Sequence, residues 1–178
     1  IWVVALSFRL LGTVAYILNF GAVAELNMFR VVGGIFFFAW LQSMSNVDHK
    51  TQFLPDIMTI PLIWLGLLWS VLKPGLISPI HAIEGAIIGY MLLWTLNKAF
   101  WLLRRKQGLG GGDLKLAAAV GAWVGPMGIC LTIGLSSFIA LGMAIVLIIA
   151  RKNFRRFAYG PSIALAGVIV YTLQPLVW

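Results

Sequence analysis

Charge is scarce in this chain. Only 10% of its 178 residues are Asp, Glu, Lys or Arg, against about 25% in soluble domains. A water-covered surface around a single core is therefore excluded. Acids are scarcer still, with five in all, of which three are aspartates. There is one cysteine, Cys130, inside an apolar run, so neither a disulfide framework nor a CxxC metal pair is available. Cys130 itself is expected to pack rather than react. Zinc hydrolysis of the HExxH type is excluded, because HAIEG at 81–85 does not set two histidines on one helix face. His49 and His81 read as loop residues rather than ligands. A serine nucleophile is excluded by the lack of GxSxG and of a histidine suited to Ser136 or Ser137. The glycines at 108 and 110–112 are not followed by Gly-Lys-Ser/Thr, so they are not a P-loop. No internal repeat and no low-complexity tract is visible, and the chain reads as a single domain, 1–178.

What the chain has in abundance is apolar surface: 61% hydrophobic residues and eight tryptophans. Lipid is its expected solvent and its expected partner. The fold class is all-α, a polytopic transmembrane helix bundle. A crossing needs about 20 residues for a hydrocarbon core of about 30 Å. Seven apolar segments meet or approach this, at about 1–22, 31–46, 57–72, 82–103, 114–125, 128–150 and 161–178. The first carries Arg9 and lacks the short apolar stretch and cleavage site of a signal peptide, so it reads as structure. The chain opens on Ile1 rather than Met, so its true N-terminus is expected to be missing. The net charge of +8 does not indicate nucleic acid, because the basic residues lie between apolar runs and not on one polar face. They report topology instead. The loop at 47–56 has His49 and Lys50, that at 73–81 one Lys, and that at 104–113 Arg104, Arg105 and Lys106. The turn at Pro126 has no charge, and the loop at 151–160 has Arg151, Lys152, Arg155 and Arg156. This alternation is read by the positive-inside rule. This parity puts all three aspartates on the cytoplasmic side, provided that the short fifth segment counts as a crossing.

The aspartates are Asp48 and Asp56 in VDHKTQFLPD, 47–56, and Asp113 in GLGGGD, 108–113. Carboxylates at the membrane edge are costly and therefore candidates for function. Each also has a structural reading. Asp56, after Leu54 and Pro55, would cap a helix starting near Ile57. Asp113 would cap the helix that opens with Leu114. Asp48 has the least evident structural task. Glu84 reads as a cap or an interface-level carboxylate, and Pro161 as the start of the last helix. Two aspartates brought together cannot both ionise cheaply, so one keeps its proton. The ionised one can draw a proton from water while the other polarises a carbonyl. That is the chemistry of aspartic proteolysis. The glycines before Asp113 would let backbone approach closely and would permit non-helical chain beside a polar cavity.

VDHKTQFLPD, followed some sixty residues later by GLGGGDLKLAAAVGAWVG, closely resembles the bacterial type IV prepilin peptidases, which are GxGD-type membrane aspartic proteases. The first motif has Asp48 seven residues before Pro55. The second comprises Gly110, Gly111, Gly112, Asp113, Leu114, Lys115 and Leu116, and YGPSIALAG near the end is similar to a late Phe/Tyr-Gly-Pro motif of the family. The likeness extends over roughly 40–170. It implies Asp48 and Asp113 as the catalytic pair, with Gly110, Gly112, Lys115, Pro55 and Asp56 in support and no catalytic metal. It implies eight transmembrane helices in the full-length protein, with the site at the cytoplasmic face of the bacterial inner membrane. The substrates implied are prepilins or type II secretion pseudopilins, with a basic leader ending in Gly before a hydrophobic helix. A further first helix and a cytosolic zinc-type domain, common in the family, are expected to be absent here. Proteolysis would need no cofactor. Methylation of the new N-terminus would need S-adenosylmethionine. Two alternatives stand beside this reading. One is a small transporter or channel with Asp-lined access, for which acids in mid-segment and repeat symmetry would be expected. The other is a presenilin-like protease, whose first aspartate follows Tyr, where this chain has Val47.

Overall fold

A computed structural model describes residues 28–51, 54–72, 77–105, 110–149 and 159–177, and these are helical apart from short connections. The helices are α1 (Met28–Thr51), α2 (Asp56–Leu72), α3 (Pro79–Arg104), α4 (Gly111–Ile149) and α5 (Gly160–Val177). The expected first segment, 1–22, with Arg9, lies outside the described residues. Helices α3 and α4 are each long and apolar enough to cross a membrane, and α2 and α5 are shorter apolar helices.

Helix α4 contains a reversal and is two helical arms joined at a kink. Gly125 has φ 75° and ψ −177°, a conformation essentially confined to glycine, and Pro126 follows it. In one straight helix Ala117 and Ile129 would stand about 18 Å apart. Yet a methyl group placed on Gly89 of α3 would meet the Ala117 carbonyl and, at 3.0 Å, the Ile129 side chain. The chain therefore folds back at Gly125 into two arms. Contacts with α5 agree: Val120 of the first arm packs on Gly167, whereas Ser136 of the second reaches Tyr159 and Met143 reaches Ser162. The expected break between segments 114–125 and 128–150 is thus present. The Val124 carbonyl beside the break accepts a hydrogen bond from Gln174 Nε2 at 2.8 Å, which satisfies a backbone group at a helix interruption.

The first arm of α4 is the core. Residues 116–125 are all buried, and their small side chains explain how helices can surround them. Gly85 and Gly89 of α3 stand against Gly121 and Ala117, so close that a methyl on either Gly85 or Gly121 would run into the other's carbonyl. Small residues four apart let two backbones touch where lipid supplies no hydrophobic drive. Trp123 fills the space towards α1 and α2. It stacks on Phe37 at 5.0 Å and on Trp69 at 6.1 Å, and its Nε1 donates to the Leu62 carbonyl at 3.1 Å. A buried indole N–H is thereby satisfied.

Two boundaries differ from expectation. Helix α1 runs on to Thr51, so Asp48 lies in its last turn and not in a loop. Helix α3 begins at Pro79, with Ser78 as its cap accepting from the His81 N–H at 3.2 Å. Glu84 therefore stands in the second turn, exposed, and is not the cap. Cys130 is exposed on the outer face of α4 rather than packed.

Candidate active site

The three aspartates gather at one end of the bundle because the helices alternate in direction. Helix α1 runs antiparallel to α2, with Trp40 Nε1 donating to the Met58 carbonyl at 2.9 Å and Gly33 against Trp69. Helix α2 runs parallel to the first arm of α4, with Asp56 beside Lys115 and Gly66 beside Trp123. Hence the end of α1, the start of α2, the start of α4 and the start of α5 share one face.

Leu54 is the hub of that face. Only 4% exposed, it precedes Pro55 and the first turn of α2. On one side it lies against Gly112, where a methyl group would stand 2.6 Å from Leu54 Cβ. On the other its Cδ1 lies 3.4 Å from the corresponding position on Gly160, which is also in contact with the Asp48 carboxylate. Asp113 directly follows Gly112. Asp48 and the segment that opens with Asp113 thus flank one leucine, near enough for the Asp48 charge to act on Asp113.

Their settings differ. Asp48 is buried, 6% exposed. It lies in the last turn of α1, where the helix dipole disfavours an anion, and against the first turn of α5, where it favours one. Asp113 is the third residue of α4. Its backbone N–H donates to the Gly110 carbonyl at 3.2 Å, and its carboxylate is held by the Gly110 backbone N–H. This is the reciprocal side-chain arm of a capping box. The cap expectation for Asp113 is therefore changed in detail: the side chain reaches back from inside the first turn.

Asp56 departs further from its expected part. It is the first residue of α2, and its Oδ1 accepts from Lys115 Nζ at 2.6 Å. Lys115, Asp56 and Pro55 thus form the joint between α2 and α4 beside the pair. Gly110 precedes α4 and Gly112 receives Leu54, so each motif-supporting residue has a structural place at this end.

Sequence reasoning gave Gly160 no task, yet its α-carbon lies against Asp48. The sequence marks Gly160 only as part of YGPSIALAG, the stretch similar to the late Phe/Tyr-Gly-Pro motif, and as the glycine before the proline that opens a helix. Ser136, weighed in the sequence only as a nucleophile, and Tyr159, placed there only in the YGPSIALAG stretch, have a structural task instead. Their hydroxyls lie 2.6 Å apart, tying the start of α5 to the second arm of α4.

A model of the type IV leader peptidase family matches residues 35–146. Three relatives are each named prepilin leader peptidase/N-methyltransferase. The one from Neisseria gonorrhoeae is 44% identical over 147 residues, covering 83% of this chain and 50% of that protein. The one from Escherichia coli strain K12 is 39% identical over 150 residues, covering 83% of this chain and 65% of that protein. The one from Aeromonas hydrophila is 41% identical over 131 residues, covering 72% of this chain and 45% of that protein. The chain thus spans between 45% and 65% of the length of these relatives. No solved structure matches it. The matched stretch contains Asp48, Leu54, Asp56, Asp113 and Lys115, the residues that build one face of the bundle, and the chain belongs to the type IV leader peptidase family.

Proposed function

We infer that this protein is a membrane-embedded aspartic endopeptidase that removes the leader of type IV prepilins or type II secretion pseudopilins. The observation that supports this most is the placing of Asp48 and Asp113 about Leu54 at one end of an apolar helical bundle, within reach of each other's charge. In this reading the two carboxyl groups are catalytic and share one proton. The ionised group takes a proton from a water molecule, whose oxygen attacks the scissile carbonyl. The protonated group donates a hydrogen bond to that carbonyl oxygen. Collapse of the tetrahedral intermediate breaks the C–N bond, and the departing amine receives a proton from the pair. The bundle is proposed to cross the bacterial inner membrane, with the pair facing the cytoplasm.

Methylation of the new N-terminus is the second activity in the relatives' names, and it is proposed here on that ground alone. A cavity of about 20 Å³ lies beside Trp69, Ser70, Trp123 and Gln174. It has room for one water, not for S-adenosylmethionine, and lies at the end of α2 and α5 away from the pair. The described residues there do not fit the cofactor.

Incubation of the protein in detergent with a prepilin, followed by mass spectrometry of the product, tests the proposal. A mature fragment beginning after the leader is expected. A gain of one methyl group on that fragment would add the second activity. An uncut prepilin would overturn the reading.

A further inference from the structure

Gly160 lies outside the stretch matched by the family model, yet it touches the Asp48 carboxylate. We propose that Gly160 is a positioning residue: its bare α-carbon is the wall that seats the Asp48 carboxylate, so that α5 completes the site as a third segment. This rests on the proteolytic reading above.

Three observations carry it. First, Gly160 is buried, and a methyl group there would collide with Asp48 Oδ2 and crowd Leu54 Cδ1 at 3.4 Å. Its backbone conformation does not call for glycine, since its φ is not positive, so the requirement comes from the neighbour. Second, the wall cannot retreat easily. The Tyr159 hydroxyl lies 2.6 Å from Ser136 Oγ and 3.4 Å from Ser137 Oγ. The Tyr159 carbonyl accepts from the N–H groups of Ser162 at 3.0 Å and Ile163 at 3.2 Å, and Pro161 fixes the next φ. Third, what the methyl would strike is the far end of an Asp side chain, which rotates more readily than a helix moves. A methyl at Gly160 therefore turns the carboxylate away while leaving the bundle assembled. A displacement of about 1 Å at a reacting group lowers the rate by about 100-fold.

The test is Gly160→Ala, with Gly134→Ala as control, because a methyl on Gly134 meets nothing within 4 Å. The expected result is a fall in kcat of about 100-fold, with KM and the thermal melt close to wild type. A second measurement needs no activity. In the Asp48→Ala background the added methyl has no carboxylate to strike, so Asp48→Ala/Gly160→Ala should melt where Asp48→Ala melts. That expectation holds even if Gly160→Ala alone is poorly folded. Cleavage by Gly160→Ala within about threefold of wild type would overturn the proposal. So would equal destabilisation by the methyl in both backgrounds, which would make Gly160 a packing residue of α5. Failure of the wild-type protein to cut any prepilin would instead overturn the proteolytic reading.

Discussion

Leu54 lies directly on Gly112, with no room between them for a methyl group. This contact joins the segment that follows Asp48 to the residue that precedes Asp113. Gly112→Ala should therefore spread the two aspartates and reduce prepilin cleavage by about 100-fold. The same change one residue earlier should behave differently. A methyl on Gly111 meets nothing within 4 Å, and Ala is favoured over Gly in a helix by roughly 0.5–1 kcal/mol. Gly111→Ala should be active and slightly more stable. Paired cleavage and melting assays on the two variants check this.

Packing of α3 on the first arm of α4 depends on glycine for a different reason. Gly85 and Gly121 meet backbone to backbone, so a methyl must push helices apart. Gly121→Ala should lower stability by about 1–3 kcal/mol or more, the usual cost of overpacking. Gly142→Ala, where a methyl meets nothing within 4 Å, should instead raise it by roughly 0.5–1 kcal/mol, the helix preference for Ala over Gly. Thermal melts in one detergent compare them.

The Lys115–Asp56 pair is short, but its side chains are 38% and 55% exposed. Such pairs contribute about 0–1 kcal/mol. Asp56→Asn and Lys115→Gln should each lower stability by less than about 1 kcal/mol and keep most cleavage. The difference from wild type should fade towards 1 M salt, where the screening length is about 3 Å. Melting at low and high salt measures it.

The helix directions set a topological expectation. The ends of α1 and α3 and the start of α5 share a face, so the basic loops at 47–56, 104–113 and 151–160 should all be reached by a membrane-impermeant thiol reagent from the cytoplasmic side. Single cysteines introduced at positions 50, 104 and 155 test this. Labelling of position 155 from the opposite side would contradict the reversal at Gly125.

Much of this arrangement was legible in the sequence, and the gaps have physical causes. Long apolar segments ending at Lys, Arg, Gly or Pro gave the helices, because lipid forces backbone to bond within its own segment. The reversal at Gly125 was legible from Gly-Pro and from charge parity together. The position of Asp48 inside α1 was not, since a polar stretch such as NVDHKT reads as loop although a helix can carry a polar last turn out of lipid. Asp56 was read as a cap because its partner, Lys115, is remote in sequence and only the parallel run of α2 and α4 joins them. The task of Gly160 was missed for the same reason. A methyl there would meet a carboxylate on another helix, and the local Tyr-Gly-Pro pattern marks the glycine without naming that neighbour.

The pairing of Asp48 with Asp113 as a catalytic unit is tested most directly by exchanging each carboxylate for an amide. Prepilin cleavage by wild type, Asp48→Asn and Asp113→Asn should be followed by mass spectrometry across pH, with a melt on each protein to establish folding. One shared proton requires the wild-type rate to fall at both low and high pH, because the pair titrates as a unit. Both amide variants should be folded and inactive at every pH, since an amide neither takes a proton from water nor supplies the missing one. Cleavage at the wild-type rate by folded Asp48→Asn or Asp113→Asn would contradict the pairing.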